Sequence, residues 1–167
     1  SNPADSGINA TGGIHVAVSS GPYFTQWWDG SNWNSTIPAW NVQTFVGTSS
    51  GTWSWEVALP PWDSGVYYRV LSRSTDRAGN EQNSFDLGVS SNVFAFDNVA
   101  PNSFVTQPAD QTARKALAII SGTTGDDFSG IDPTQVKLKI SYFLSGTTYY
   151  WNGTIFDTPV NELTAAF

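Results

Sequence analysis

Apolar and polar residues alternate with a period of two along most of this chain, the pattern of strands with one buried face. Ile14, Val16 and Val18 point one way; His15, Ala17 and Ser19 point the other. The run Tyr23 to Trp28 is aromatic and β-prone. Thr52 to Val57 alternates cleanly, Val66 to Arg73 makes the strongest strand, and Asn92 to Phe96 follows. Further strands are expected at Ser103 to Thr106, Ala116 to Ile120, Val136 to Phe143 and Thr147 to Trp151. Helical periodicity is nearly absent. Asp29-Gly30 marks a hairpin, because glycine takes the positive φ such a turn needs. Turn residues fall roughly every ten positions, the spacing of a β-sandwich or barrel.

The pattern also repeats. Ser6-Gly7-Ile8 recurs as Ser129-Gly130-Ile131, and Trp27-Trp28-Asp29-Gly30 recurs as Tyr150-Trp151-Asn152-Gly153, each 123 positions on. Between them, Ile14 to Ser19 matches Val136 to Ser141 at 122, so one loop residue differs. Trp33 matches Phe156. A period of about 120 residues is the size of a domain and not of a solenoid turn. The chain is expected to hold one copy over residues 1–98, lacking its first strands, and the N-terminal part of the next over 99–167. Val99-Ala100-Pro101-Asn102 is the expected linker.

Composition narrows the function. Charged residues are 13% of the chain, about half the share usual in soluble domains. Net charge is −7 and no run of Lys or Arg occurs, so a phosphate-tracking groove for nucleic acid is not expected. No apolar stretch approaches the roughly 18 residues of a membrane-spanning helix, so no membrane insertion is expected. Without cysteine there is neither a disulfide nor a thiolate metal site or nucleophile. His15 is the single histidine; its counterpart in the second copy is Lys137. No recognised nucleophile, zinc-protease or phosphate-loop motif is present, and the expectation is a non-enzyme.

Three segments carry a family resemblance. Tyr67 to Glu81, with Asp76-Arg77-Ala78-Gly79-Asn80 at its end, resembles the Y-x-x-x-x-x-A-x-D-x-A-G-N strand of bacterial immunoglobulin-like tandem repeats. Phe96 to Pro101 resembles their D-N-T-A-P junction. Leu117 to Asp126, followed by Ser129-Gly130-Ile131, resembles their opening I-x-G-T-A-x-D-x-S-G-I stretch. The resemblance implies immunoglobulin-like β-sandwich repeats of an extracellular or cell-surface protein: a stalk, fibre or adhesin. Its expected partners are neighbouring repeats or identical subunits, with missing strands supplied by strand sharing.

Three groups of residues are candidates for binding. Tyr23, Trp27, Trp28 and Trp33 gather around one hairpin. Exposed aromatics stack on sugar rings, so they are a candidate surface-glycan platform; the alternative is that they pair across the hairpin and cap the sandwich. Asp76, Glu81 and Asp97, with Asp126 and Asp127 of the next copy, are candidate Ca²⁺ ligands at the junction, since Ca²⁺ takes six to eight oxygens from such loops. They are equally suited to local turns, Asp76 toward Gly79-Asn80 in particular. Asn9, Asn34 and Asn152 begin N-x-S/T sequons, glycosylation acceptors in a host with that machinery.

Overall fold

The strand over Ile14–Ser20 (β1) buries both of its faces and uses both of its edges. It belongs to a computed structural model that describes residues 7–9, 11–158, 160 and 162–164. Ser6 of the Ser-Gly-Ile motif and Ala10 of the first sequon lie outside the described residues. The described chain is all-β, made of antiparallel sheets, with one short 3-10 turn at Pro133–Gln135. It divides into two compact units, the first ending at Val99 and the second starting at Ala100.

The first unit contains β1, β2 (Gln26–Trp28), β3 (Trp33–Ser35), β4 (Asn41–Gly47), β5 (Gly51–Ser54), β6 (Val66–Ser74) and β7 (Ser91–Phe96). They form a seven-stranded sheet. One edge of β1 is shared. Its first half pairs with β4, Ile14 opposite Gln43, and its last residues pair with β2, Ser19 opposite Trp27. The other edge pairs with β6 along its full length, from Ile14 opposite Ser74 to Ser20 opposite Tyr68. β7 continues the sheet beyond β6. A strand bonded on both edges must come from an uninterrupted β-prone run, and Ile-His-Val-Ala-Val-Ser-Ser supplies one.

Alternation then separates two clusters. Ile14, Val16 and Val18 join Phe45 and Tyr68, flanked by Trp33, Trp55, Trp62, Val66, Val70 and Phe96. On the opposite face Ala17, Trp27 and Leu71 pack with Trp40 and Phe85. The Arg73 guanidinium lies 4.2 Å from the Trp40 ring centre, a cation–π contact. Tyr68 is 1% exposed and its hydroxyl accepts a hydrogen bond from the Asp63 N–H at 2.8 Å. The rings of Trp33, in β3, and of Trp55 and Trp62, in segments between strands, pack against the first cluster.

The second unit holds β8 (Asn102–Gln107), β9 (Ser121–Gly125), β10 (Lys137–Leu138), β11 (Ser141–Leu144), β12 (Thr147–Trp151), β13 (Phe156–Asp157) and β14 (Leu163–Thr164). These form three small sheets: β8–β9, β10–β14 and β11–β12–β13. None of the unit's described residues is buried.

Several expected strands differ. Tyr23 and Phe24 sit in a turn in which the Phe24 N–H bonds to the Gly21 carbonyl, so β2 starts only at Gln26. Ala116 to Ile120 has no partner and is not a strand; β8 pairs instead with the residues directly after it, Ser121–Gly125. Val136 to Phe143 splits in two, because Lys137–Leu138 pairs with β14 while Ser141–Leu144 pairs with β12. Asn41–Gly47, absent from the sequence reading, is a full strand.

Replacing Tyr68 by alanine removes the ring at the centre of the first cluster. The expected cost is roughly 3–5 kcal/mol, the range for losing a buried aromatic side chain. Phe143→Ala, 72% exposed on a strand of the second unit, is expected to change stability by about 0.5 kcal/mol or less. Urea unfolding monitored by tryptophan fluorescence measures both.

Candidate functional site

The hairpin β2–β3 is built by its turn. Asp29 Oδ1 accepts hydrogen bonds from the N–H groups of Ser31 at 2.8 Å and Asn32 at 2.7 Å. The Asp29 N–H returns a bond to the Asn32 carbonyl at 3.0 Å. Gly30 adopts φ +101°, a conformation glycine takes without steric cost. This turn sets Trp28 opposite Trp33, with their rings 5.3 Å apart, and a bulge follows before Trp27 pairs with Ser35.

The second unit carries the same device. Asn152 Oδ1 accepts from the N–H groups of Thr154 at 3.0 Å and Ile155 at 2.9 Å. The Asn152 N–H bonds to the Ile155 carbonyl at 3.0 Å, and Gly153 has φ +99°. Trp151 lies opposite Phe156, rings 5.1 Å apart. The preceding ladder also corresponds. Ser19 opposite Trp27 in β1–β2 becomes Ser141 opposite Tyr150 in β11–β12. Trp151 therefore holds in its hairpin the place Trp28 holds in the first.

The aromatic residues proposed as a sugar platform are mostly spent on packing. Trp27 is 8% exposed and Trp28 6%; Trp27 packs with Ala17 and Leu71, and Trp28 against Trp33. Trp33 is half-buried against Trp28, Trp62 and Tyr68. Tyr23 alone of the four stands in solvent, at 83% exposure. A sugar ring needs a free aromatic face, and Trp27 and Trp28 offer none. Sequence reasoning missed Trp62 and Phe94. Trp62 contacts Tyr68 edge-on at 4.8 Å and Phe94 stacks on Tyr68 at 5.5 Å. Trp62 lies between strands, where alternation gives no signal.

Asp76, Asp97, Asp126 and Asp132 each accept hydrogen bonds within a local turn. Asp76 accepts from the N–H groups of Ala78 and Asn80 and from the Asn80 side-chain amide, all at 2.8–2.9 Å. These bonds, led by that from the Asn80 side chain, hold its carboxyl below the ordinary value of 3.8, because they favour the charged form. Glu81 pairs with Arg73. Asp97 accepts from the Ser64 hydroxyl and the Val99 N–H. Asp126 accepts from Phe128 N–H, Gly130 N–H and the Ser129 hydroxyl, the same spacing Asp76 uses. Asp127 is its exposed neighbour. Asp132 starts the 3-10 turn, accepting from the Thr134 N–H and hydroxyl, and its pKa is lowered for the same reason.

Within the first unit these acids do not converge. Asp97 follows Phe96, which pairs with Val66 at the start of β6, whereas Asp76 and Glu81 lie beyond its other end. At about 3.3 Å per residue, that separation is on the order of 30 Å, so one ion cannot be ligated by all three. Among the described residues, no group of three or more His, Asp or Glu side chains is placed to hold a metal ion. His15 sits between Val42 and Arg73 on neighbouring strands, and its Nδ1 is buried with no hydrogen-bond partner. Asn34 and Asn152 are exposed and Asn9 is half-buried. No described helix is long and apolar enough to cross a membrane.

Two outcomes follow for the acidic turns. The Asp76 carboxyl carbon, followed by NMR, is expected to titrate below 3.8. A depressed folded-state pKa makes the turn's contribution complete above the unfolded value and lost as pH falls through the folded one; protection of the Asn80 amide should fall in the same window. Thermal unfolding with Ca²⁺ and with chelator is expected to give the same Tm, since an ion that binds only the folded state must raise it.

Comparison with protein-family models, curated proteins and solved structures finds no match to this chain, so the functional reading rests on the paired hairpins and on where the aromatic side chains are spent.

Proposed function

We propose that this chain is a structural module of an extracellular multi-repeat protein, a stalk or fibre segment built from immunoglobulin-like β-sandwich repeats. One observation carries the reading. Two hairpins 123 positions apart share a strand register, a side-chain-closed turn, a glycine at φ near +100° and a tryptophan-led aromatic pair. A device that recurs within one chain serves something every copy needs, which is the fold. A ligand site would require the aromatic faces to be free, and in the first unit those of Trp27 and Trp28 are packed.

The composition supports the same reading. A chain with 13% charged residues coats itself with Ser, Thr, Asn and Gln, whose hydration does not depend on counter-ions. Repeats of this kind hold distance: each buries its own apolar face, and neighbours are joined by short segments such as Val99-Ala100-Pro101-Asn102. Catalysis is not part of this role, and its partners are other repeats.

A glycan microarray probed with the full chain tests the reading. The expected result is no saturable binding that depends on the β2–β3 hairpin. Micromolar binding abolished by Tyr23→Ala would replace the structural role with a sugar-binding one. Loss of binding on Trp28→Ala alone would be uninformative, because that change removes a core residue.

A further inference from the structure

The two hairpin turns are closed by side chains that differ in one terminal group, a carboxylate at Asp29 and an amide at Asn152. Asp29 accepts the Ser31 and Asn32 N–H groups at 2.8 and 2.7 Å. Asn152 accepts the Thr154 and Ile155 N–H groups at 3.0 and 2.9 Å. The bonds are shorter at Asp29, as bonds to a charged acceptor are. Asn152 precedes Gly153, the single Asn-Gly pair in the sequence, and both residues are exposed to water. The space beside Gly153 is open: even a Cβ there would first meet the Leu163 side chain, at 3.9 Å. Among the described residues the Gly153 N–H has no hydrogen-bond partner.

These are the parts of an intramolecular acyl transfer. A backbone nitrogen without a bulky neighbour adjoins a side-chain carbonyl carbon, and two N–H donors already point at that carbonyl's oxygen. Donors at about 2.7–3.1 Å from a developing oxyanion lower the barrier to its formation. In an exposed turn the gain is far smaller than in an enclosed site, because water weakens the field. Asn9 receives only the Thr11 N–H on its side-chain oxygen and precedes alanine. Among the described residues, Asn152 alone of the asparagines receives two backbone N–H groups there.

We propose that Asn152 is a self-modification site, at which the turn promotes deamidation of its own asparagine and keeps its shape around the aspartate formed. The Gly153 nitrogen, giving its proton to solvent hydroxide, bonds to Asn152 Cγ, and the carbonyl π pair moves onto Oδ1, where the Thr154 and Ile155 N–H groups receive it. When the C=O bond re-forms, the bond to the side-chain nitrogen breaks, and that nitrogen takes a proton from water and leaves as ammonia. The product is a five-membered succinimide. Water then adds at Cγ, the Cγ–N bond breaks, and the proton returns to the Gly153 nitrogen. One water enters and one ammonia leaves, with no change of oxidation state. The first unit shows how the product is held: a carboxylate in the same turn accepts the same two N–H groups, over shorter bonds. Conversion therefore adds one negative charge to the surface of the second unit without opening its hairpin.

The test incubates the full 167-residue chain in mildly alkaline buffer beside a synthetic peptide spanning residues 149–156. Both are followed by peptide mapping, with fragmentation assigning each amide-to-acid mass gain to one asparagine. Conversion is expected at Asn152 ahead of every other asparagine. It should run about threefold or more faster in the folded chain than in the peptide, a small part of what enclosed oxyanion donors supply. Thr154→Pro removes one donor N–H and should bring the rate down toward that of the peptide. Asp29→Asn builds the same device in the first unit, and the new amide there should convert within about threefold of the rate at Asn152. This second variant keeps the test decisive if the proline disturbs the hairpin. In the converted chain the Thr154 and Ile155 amides should stay protected from hydrogen exchange, as in an Asn152→Asp chain. A folded-chain rate equal to or below that of the peptide would overturn the proposal. So would an amide at position 29 that does not convert, or a product that is mainly isoaspartate with those two amides unprotected.

Discussion

The first unit depends on the pairing of β1 with β6. Seven consecutive residues, Ile14 to Ser20, are matched to Ser74 through Tyr68, and every other strand reaches the core through one of these two. β4 and β2 attach to the free edge of β1, and β7 attaches to the free edge of β6. The pairing also aligns the side chains. Ile14, Val16 and Val18 fall on the face of Tyr68, while Ala17 falls on the face of Leu71. A slip of one residue would exchange the faces and turn the apolar set outward.

Around that ladder, aromatic rings pack on both faces. Trp33, Trp55 and Trp62 close one side, and Trp27, Trp40 and Phe85 the other. Large rings bury much area at little conformational cost, with two χ angles each. They allow a sheet to be covered by segments that are not themselves strands. The second unit has the hairpin and its aromatic pair but no counterpart of the β1–β6 ladder among its described residues, and correspondingly no buried residue. The hairpin is thus a local element that forms from its turn, whereas burial requires the long-range partner.

Much of this was legible in the residues. β1, β6, β7 and β12 follow their alternation closely, and the correspondence of Trp28 with Trp151 was visible as a repeated W-[DN]-G. β4 was not visible, because its pattern is inverted: Val42 and Val46 face solvent while Gln43 and Phe45 are buried. Ala116 to Ile120 looked like a strand because its composition is apolar, but a strand exists only where a ladder accepts it. The acidic candidates were grouped by sequence proximity and by resemblance. Asp97 and Asp76 proved to lie at opposite ends of β6, a consequence of antiparallel pairing that spacing alone does not reveal. The hairpin tryptophans could equally have been a surface or a core, and only the position of β6 decides between them.

Ion pairs contribute little to this architecture. Among the described residues there are two, Arg73 with Glu81 and Lys139 with Glu162, and surface pairs of that kind are worth about 1 kcal/mol or less each. Cohesion comes instead from buried rings, backbone ladders and turns closed by short side chains, and the buried rings are screened by dissolved ions far less than exposed charges are. The first unit is therefore a body whose firmness is set by its interior far more than by pairs of opposite charge.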